Sequence, residues 1–247
     1  MNKTLEQIEA QRQGGKIMAE IFRELREKAR AGVNELALND FVAEEIIRQG
    51  ATASYLEQAD NFSGVICISV NDELIHGLPE DNILQNGDKV SFDLTIGYHG
   101  MCVDSAFTMV IGGKMTAAQK HLISATEQSF WAGIKGIKAG STTGDIGFEV
   151  EKVLNRAKLG IIREYIGHGI GEKIHEPPEV PNYGKKGTGA ILKAGDTICV
   201  EPMTSLGSPK TVVGSDGWTV FLKDGSLGAH YEHTVLITEK GVEVLTR

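Results

Sequence analysis

Several protein classes are excluded by what this sequence lacks. Its three cysteines, Cys67, Cys102 and Cys199, are odd in number, far apart and never spaced Cys-x-x-Cys. That pattern excludes a disulfide scaffold and a cysteine-built zinc module, and it fits a reducing compartment. There is no basic run, and 33 acidic against 25 basic residues leave a formal net charge of -8. Neither nucleic acid nor an anionic membrane is therefore expected as a partner. No stretch approaches the length of a membrane span, and Met1-Asn2-Lys3-Thr4-Leu5-Glu6-Gln7 lacks the apolar region of a signal peptide. A soluble, cytoplasmic protein is the expectation. With no long apolar heptad, so is a monomer.

What is present points to one globular unit. No segment of the 247 residues is set apart by composition, so one domain over 1–247 is expected. The 30 glycines are scattered, marking tight turns and close backbone approach instead of a linker. Leu5 to about Ala31 has helical periodicity through Ile17, Ile21 and Leu25, with Gly14-Gly15 as a possible break. Asn34 to about Arg48 predicts a second helix, stopped by Gly50. Later, Thr116-Ala117-Ala118-Gln119 has the spacing of a capping box and opens a helix to about Lys138, and Ser141-Thr142-Thr143 can cap another from about Gly144 to Lys158. Each half thus reads as long helices followed by strands.

The most informative stretch is Val90 to Val110, two β-rich runs around Gly97-Tyr98-His99-Gly100. A loop centred on Tyr98 and His99 sets Asp93 directly across from Asp104. Like charges directly opposite on one sheet face are destabilising. Either these aspartates point into water, or they share a cation. Phe92, Leu94, Ile96, Val103, Phe107 and Met109 around them favour a buried pair, and a buried carboxylate without a partner is very costly.

Further candidates follow along the chain. Val65 to Val70 predicts a buried strand, and Glu73-Leu74-Ile75 delivers His76-Gly77-Leu78-Pro79, an imidazole at a loop mouth. Ile161 to Ile166 predicts a strand running into Gly167-His168-Gly169-Ile170-Gly171, whose glycines let His168 approach a ligand or another backbone closely. His175-Glu176-Pro177-Pro178 follows. Thr197 to Met203 reads as a strand carrying Glu201. Trp218 to Leu222 and Ala229 to Ile237 read as a strand pair with Glu232 inside an apolar run. Asp93, Asp104, His168, Glu201 and Glu232 together form an oxygen-rich candidate ligand set. Four carboxylates can bridge two divalent ions about 3.5 to 4 Å apart. Such a set suits manganese or iron(II), and the imidazole admits cobalt or zinc.

These motifs, in this order, resemble type I methionine aminopeptidase: His76-Gly77-Leu78-Pro79, Asp93 with Asp104, Gly167-His168-Gly169-Ile170-Gly171, His175-Glu176, Glu201-Pro202-Met203 and Tyr231-Glu232-His233-Thr234. The resemblance spans nearly the whole chain. It implies an α+β "pita-bread" fold, two pseudo-twofold-related halves with a curved antiparallel sheet inside and helices outside. It also implies removal of methionine from the N-termini of peptides and nascent proteins. Asp93 would chelate one metal, Asp104 and Glu232 would bridge two, and His168 and Glu201 would complete the ligand set. Glu201 would also move the proton, His175 would hydrogen-bond the scissile carbonyl, and His76 would contact the peptide nitrogen. Phe62, Cys67, Met203 and Trp218 stand where the family lines its methionine pocket. Glu57-Gln58, Ile174 and His230 depart from the residues common there, which are Gly-Tyr, an aromatic and glutamine. The rivals are a proline-directed X-Pro peptidase of the same fold and a non-catalytic pita-bread module. The Glu201-Pro202-Met203 continuation and an intact ligand set favour the methionine enzyme. The 26 steps from His175 to Glu201 leave no room for the helical insertion of a type II enzyme.

Overall fold

The computed structural model describes residues 3–55 and 62–247. Among them are four helices: α1 (Leu5–Lys28), α2 (Glu35–Arg48), α3 (Ala117–Ile134) and α4 (Thr143–Ala157). Their ends are written in the sequence. Thr4 with Gln7, Thr116 with Gln119 and Thr142 with Asp145 form capping boxes, and the Asn34 side chain accepts from the Leu36 amide. Lys158, left-handed at φ 56°, ends α4.

Gly14 and Gly15 do not break α1, as the sequence had allowed. They are instead two points of close approach between the helix and the rest of the molecule. A Cβ on Gly14 would lie 3.3 Å from both Tyr98 and Val103, and one on Gly15 would lie 2.0 Å from the Leu245 carbonyl. Each glycine costs an exposed helix about 1 kcal/mol relative to alanine. Here close contact offsets that cost.

Fifteen strands are described: β1 (Thr52–Ala53), β2 (Cys67–Val70), β3 (Glu73–Ile75), β4 (Lys89–Tyr98), β5 (Met101–Val110), β6 (Gly160–Ile161), β7 (Gly167–Gly169), β8 (Glu176–Val180), β9 (Thr197–Val200), β10 (Met203–Ser205), β11 (Thr211–Val213), β12 (Val220–Leu222), β13 (Gly228–His230), β14 (Glu232–Ile237) and β15 (Val242–Val244). Nine form one sheet in the order β1-β4-β5-β14-β9-β7-β8, with β2 also on β4 and β15 also on β14. Two three-stranded sheets, β13-β10-β6 and β11-β12-β3, complete the set. All pairs are antiparallel, and both halves of the chain contribute to the large sheet.

Strand alternation sorts the side chains. Phe92, Leu94 and Ile96 of β4 and Val103 and Phe107 of β5 pack with Met18, Ile21, Phe22 and Leu25 of α1 and Leu38, Val42 and Ile46 of α2. Ile198, Val200, Val235 and Ile237 pack with Leu122, Phe130 and Ile134 of α3 and Ile146, Val150 and Leu154 of α4. Each half therefore has its own helix pair and core. Asp93, Asp104, Cys199 and Glu232 fall on the opposite face of the sheet, away from the helices.

Several expected strand details change. The β4–β5 ladder pairs Asp93 with Ala106 and Thr95 with Asp104, because the turn is His99-Gly100, both with positive φ (48° and 76°) as a type I′ hairpin requires. Asp93 and Asp104 are diagonal neighbours rather than directly opposed. The shift is two residues, so both stay on one face, where a one-residue slip would have separated them. Ile161 to Ile166 is not one strand: β6 pairs with β10 in a small sheet, while β7 enters the large one. Val220–Leu222 pairs with β11 and β3, not with the segment carrying Glu232, which is split into β13 and β14 at Tyr231. Thr197 to Met203 is likewise divided, with Glu201 and Pro202 between β9 and β10. Composition marks such runs as β but does not name their partners.

Candidate metal centre

Asp93 and Asp104 are placed by alternate rungs of one hairpin. The Asp104 amide donates to Thr234 Oγ1 at 2.8 Å and its carbonyl accepts from the same hydroxyl at 2.9 Å, so β5 and β14 are locked together beside the site. Glu232 opens β14 opposite Ala106. Glu201 follows β9, and its carbonyl accepts from the Asn182 side chain at 3.0 Å. His168 sits in β7 between two glycines. A Cβ on Gly167 would lie 2.3 Å from the Cys199 carbonyl, and one on Gly169 would lie 2.2 Å from the Pro177 carbonyl, so only glycine lets β7 run this close to its neighbours.

The five groups converge. Asp104, His168, Cys199 and Glu232 each offer a ligand atom within 4.8 Å of the others, and Asp93, His230 and Glu232 do the same, with Glu232 common to both groups. Glu201 Oε1 lies 3.3 Å from His168 Nε2. The His168 Nδ1–H donates to the Gly169 carbonyl at 2.9 Å, which leaves the Nε2 lone pair facing inward, the arrangement usual for a metal-binding imidazole.

The electrostatics call for a cation. Asp93 Oδ1, Asp104 Oδ1, Glu201 Oε1 and Glu232 Oε1 are buried with no hydrogen-bond partner. Burial pushes all four carboxyls up, Asp104 to about 7, and mutual repulsion raises Asp93, Glu201 and Glu232 further. Without a cation such a cluster must take up protons; a divalent ion replaces that with ligation. The residues present fit one.

Around the cluster stand the other expected residues. His175 packs edge-on against His168, ring centroids 4.4 Å apart, and is exposed at the mouth of a cavity of about 470 Å³ also lined by Met101, Glu172 and Glu176. His76 is left-handed at φ 59°, half-buried, with its ring 6.2 Å from that of Trp218. Burial, and then the neighbouring His175, lower its pKa to about 4, so the imidazole is neutral. The loop is pinned by Gly77, whose amide donates to Ser69 Oγ at 3.0 Å and whose carbonyl accepts from the Ile68 amide at 2.9 Å.

Phe62, Cys67 and Trp218 come together in one apolar cluster with Tyr55, Cys102, Ile170, Ile174, Cys199 and Leu78. The Phe62 and Trp218 rings are 5.5 Å apart. Met203, fully buried, instead packs with Leu74, Ile75, Ile162, Val220 and Leu222. Glu57 and Gln58 lie outside the described residues. The sequence reading missed Cys199 as a neighbour of the carboxylates and took His230 only as a pocket departure. Both stand two positions before a candidate ligand, Glu201 and Glu232, so strand alternation was the available signal.

Comparison with known proteins bears on the family and the fold. The model of metallopeptidase family M24 matches residues 9–239. The chain is 41% identical over 245 residues to a methionine aminopeptidase of Mycoplasma capricolum, spanning 99% of this chain and 97% of that one. The crystal structure of a methionine aminopeptidase from Thermotoga maritima superposes with a TM-score of 0.96 at 36% identity, covering 100% of this chain and 99% of that one. A prolidase from Pyrococcus furiosus, 23% identical, shares the fold at a TM-score of 0.79, and this chain spans 65% of its length. The α+β fold with its antiparallel sheet and outer helices is thus the pita-bread fold, and the chain belongs to metallopeptidase family M24, among its methionine aminopeptidases.

Proposed function

We propose that this chain, as a single catalytic unit, removes the N-terminal methionine of peptides and nascent proteins, with Asp93, Asp104, His168, Glu201 and Glu232 holding two divalent ions. When bound, the ions supply Lewis acidity and bring the pKa of water down to about 7. Glu201, beside His168 and at the edge of the cluster, holds and passes the proton of the attacking water. His175 is close enough to His168 to donate to the scissile carbonyl oxygen as negative charge builds there, and its exposure leaves it reachable by a peptide. His76, neutral and held by the Gly77 contacts, orients the peptide nitrogen on the leaving side. The cluster of Phe62, Cys67, Trp218, Ile170 and Ile174 offers the methionine side chain an apolar wall, and Trp218 stands between it and His76.

The observation that carries this reading is the convergence of four buried carboxylates with unpartnered oxygens beside an imidazole whose Nε2 lies 3.3 Å from one of them. The test is release of methionine from a Met-Ala-Ser peptide, measured beside an X-Pro peptide with and without chelator. Chelator-sensitive release, restored by manganese or cobalt, is expected. Preference for the X-Pro peptide overturns the substrate, and activity indifferent to chelator overturns the metal centre.

A further inference from the structure

His230 is used by none of the roles above, yet its ring lies inside the acidic cluster. It is 2% exposed, and neither Nδ1 nor Nε2 has a hydrogen-bond partner among the described residues. A buried polar atom left so costs free energy unless something binds it. The Nε2 atom stands 3.5 Å from Glu232 Oε2, beyond a good hydrogen bond, and a ring nitrogen of His230 shares a space with ligand atoms of Asp93 and Glu232, all within 4.8 Å of one another. Ligands about 2.1 Å from one ion are separated by about 3 to 4.2 Å. The 3.5 Å contact falls in that range.

The ring is also held in place from behind. The His230 amide donates to Thr108 Oγ1 at 2.9 Å, and that hydroxyl donates to the His230 carbonyl at 2.8 Å, tying the residue to β5 on the same face as Asp104. Pairing of His230 with Met203 fixes the other side. A group fixed this firmly, with an open lone pair toward two carboxylates, is preorganised as a donor.

We infer that His230 is a sixth ligand of the metal centre, binding through Nε2 the ion that Asp93 and Glu232 also hold. The inference rests on the metal centre proposed above and adds to it a second imidazole, where the family resemblance implies one. His168 then serves the ion on the Asp104 side, His230 the ion on the Asp93 side, and Glu232 joins them. A site enriched in nitrogen moves away from manganese and toward iron(II), cobalt and zinc.

Cobalt(II) titration of the full-length protein tests it, followed by proton NMR of the loaded form in H₂O and D₂O. An imidazole bound to cobalt through Nε2 gives one strongly shifted N–H signal that disappears in D₂O. Wild type should show two such signals; His230→Gln should keep one, and His168→Gln should keep the other. The first equivalent of cobalt should bind at least about tenfold more weakly to His230→Gln. One signal in wild type, unaltered in His230→Gln and with unchanged affinity, overturns the inference while leaving the metal centre intact. Absence of cobalt uptake by wild type overturns the metal centre itself. If His230→Gln does not fold, the wild-type spectrum decides alone: two signals support the inference and one refutes it.

Discussion

Asp93 and Asp104 reach the site from a single hairpin, whereas His168, Glu201 and Glu232 reach it from three segments distant in sequence. On the hairpin a two-residue turn and one continuous ladder set both positions. In the other half each residue sits where pairing is interrupted. His168 is at a register shift in the β7–β8 ladder, Glu201 lies between β9 and β10, and Glu232 follows the break at Tyr231. The first arrangement needs only local geometry. The second needs backbones brought unusually close, which is why glycines flank His168 and none flanks Asp93. A ladder tolerates local error, while a convergent site depends on every neighbour.

The largest effect should come from removing a residue on which both halves meet. Asp104→Ala is expected to abolish metal uptake and turnover, read by metal analysis and methionine release; wild-type turnover would refute its role as ligand. Asp104→Asn separates charge from ligation. Burial lifts the folded-state pKa of Asp104 from 3.8 to about 7. Between those values rising pH ionises this group in the unfolded chain but not in the metal-free folded one. Wild type therefore loses stability relative to Asn as pH rises through that window, on the order of 4 kcal/mol in all. Urea unfolding of the metal-free proteins from pH 4 to 7.5 should show the Asn variant increasingly ahead, and added manganese should reverse the order at pH 7.5. A constant gap would contradict the buried-charge account.

His175→Ala alters the convergent half without replacing a proposed ligand. Turnover should fall about 100-fold, the scale of losing one electrostatic donor, with both ions still bound. Loss of the ions would show that His175 belongs to the cluster. Gly167→Ala probes the close approach itself. The new Cβ would sit 2.3 Å from the Cys199 carbonyl, so β7 must move away from β9. Overpacking of this kind costs about 1 to 3 kcal/mol. Metal affinity should fall with stability, as seen in a melting curve and a metal titration on one sample. The smallest effect belongs to the hairpin. Gly100 has φ +76° and nothing within 4 Å of its would-be Cβ, so Gly100→Ala carries only the left-handed penalty, about 1 to 2 kcal/mol, with metal affinity unchanged. If Gly100→Ala harmed metal binding as much as Gly167→Ala does, the contrast between the halves would fail.

Caps, helix periodicity and the alternation of strands were readable in the chain because each depends on neighbours within a few residues. Thr116 and Thr142 cap as expected, and Asp93 with Asp104 share a face. The hairpin register was misplaced by two because His99 was placed with Tyr98 in the turn instead of with Gly100, and that error was harmless to the face. The acidic cluster was legible as five polar residues out of place in apolar or glycine-rich strands. Its imidazole neighbour His230 was not, since nothing local distinguishes a histidine aimed into carboxylates from one aimed into a pocket.

The sequence alone determined which segments become helices and strands and which carboxylates cannot be buried without a counter-charge, because propensity, capping and desolvation act residue by residue. Only the tertiary structure decided that Met203 packs away from Phe62 and Trp218 and that Val220–Leu222 pairs with β3. It alone placed His230 against Asp93 and Glu232. Those outcomes depend on which distant strands share a sheet, and that choice is made by burial summed over the whole chain rather than by any short stretch of it.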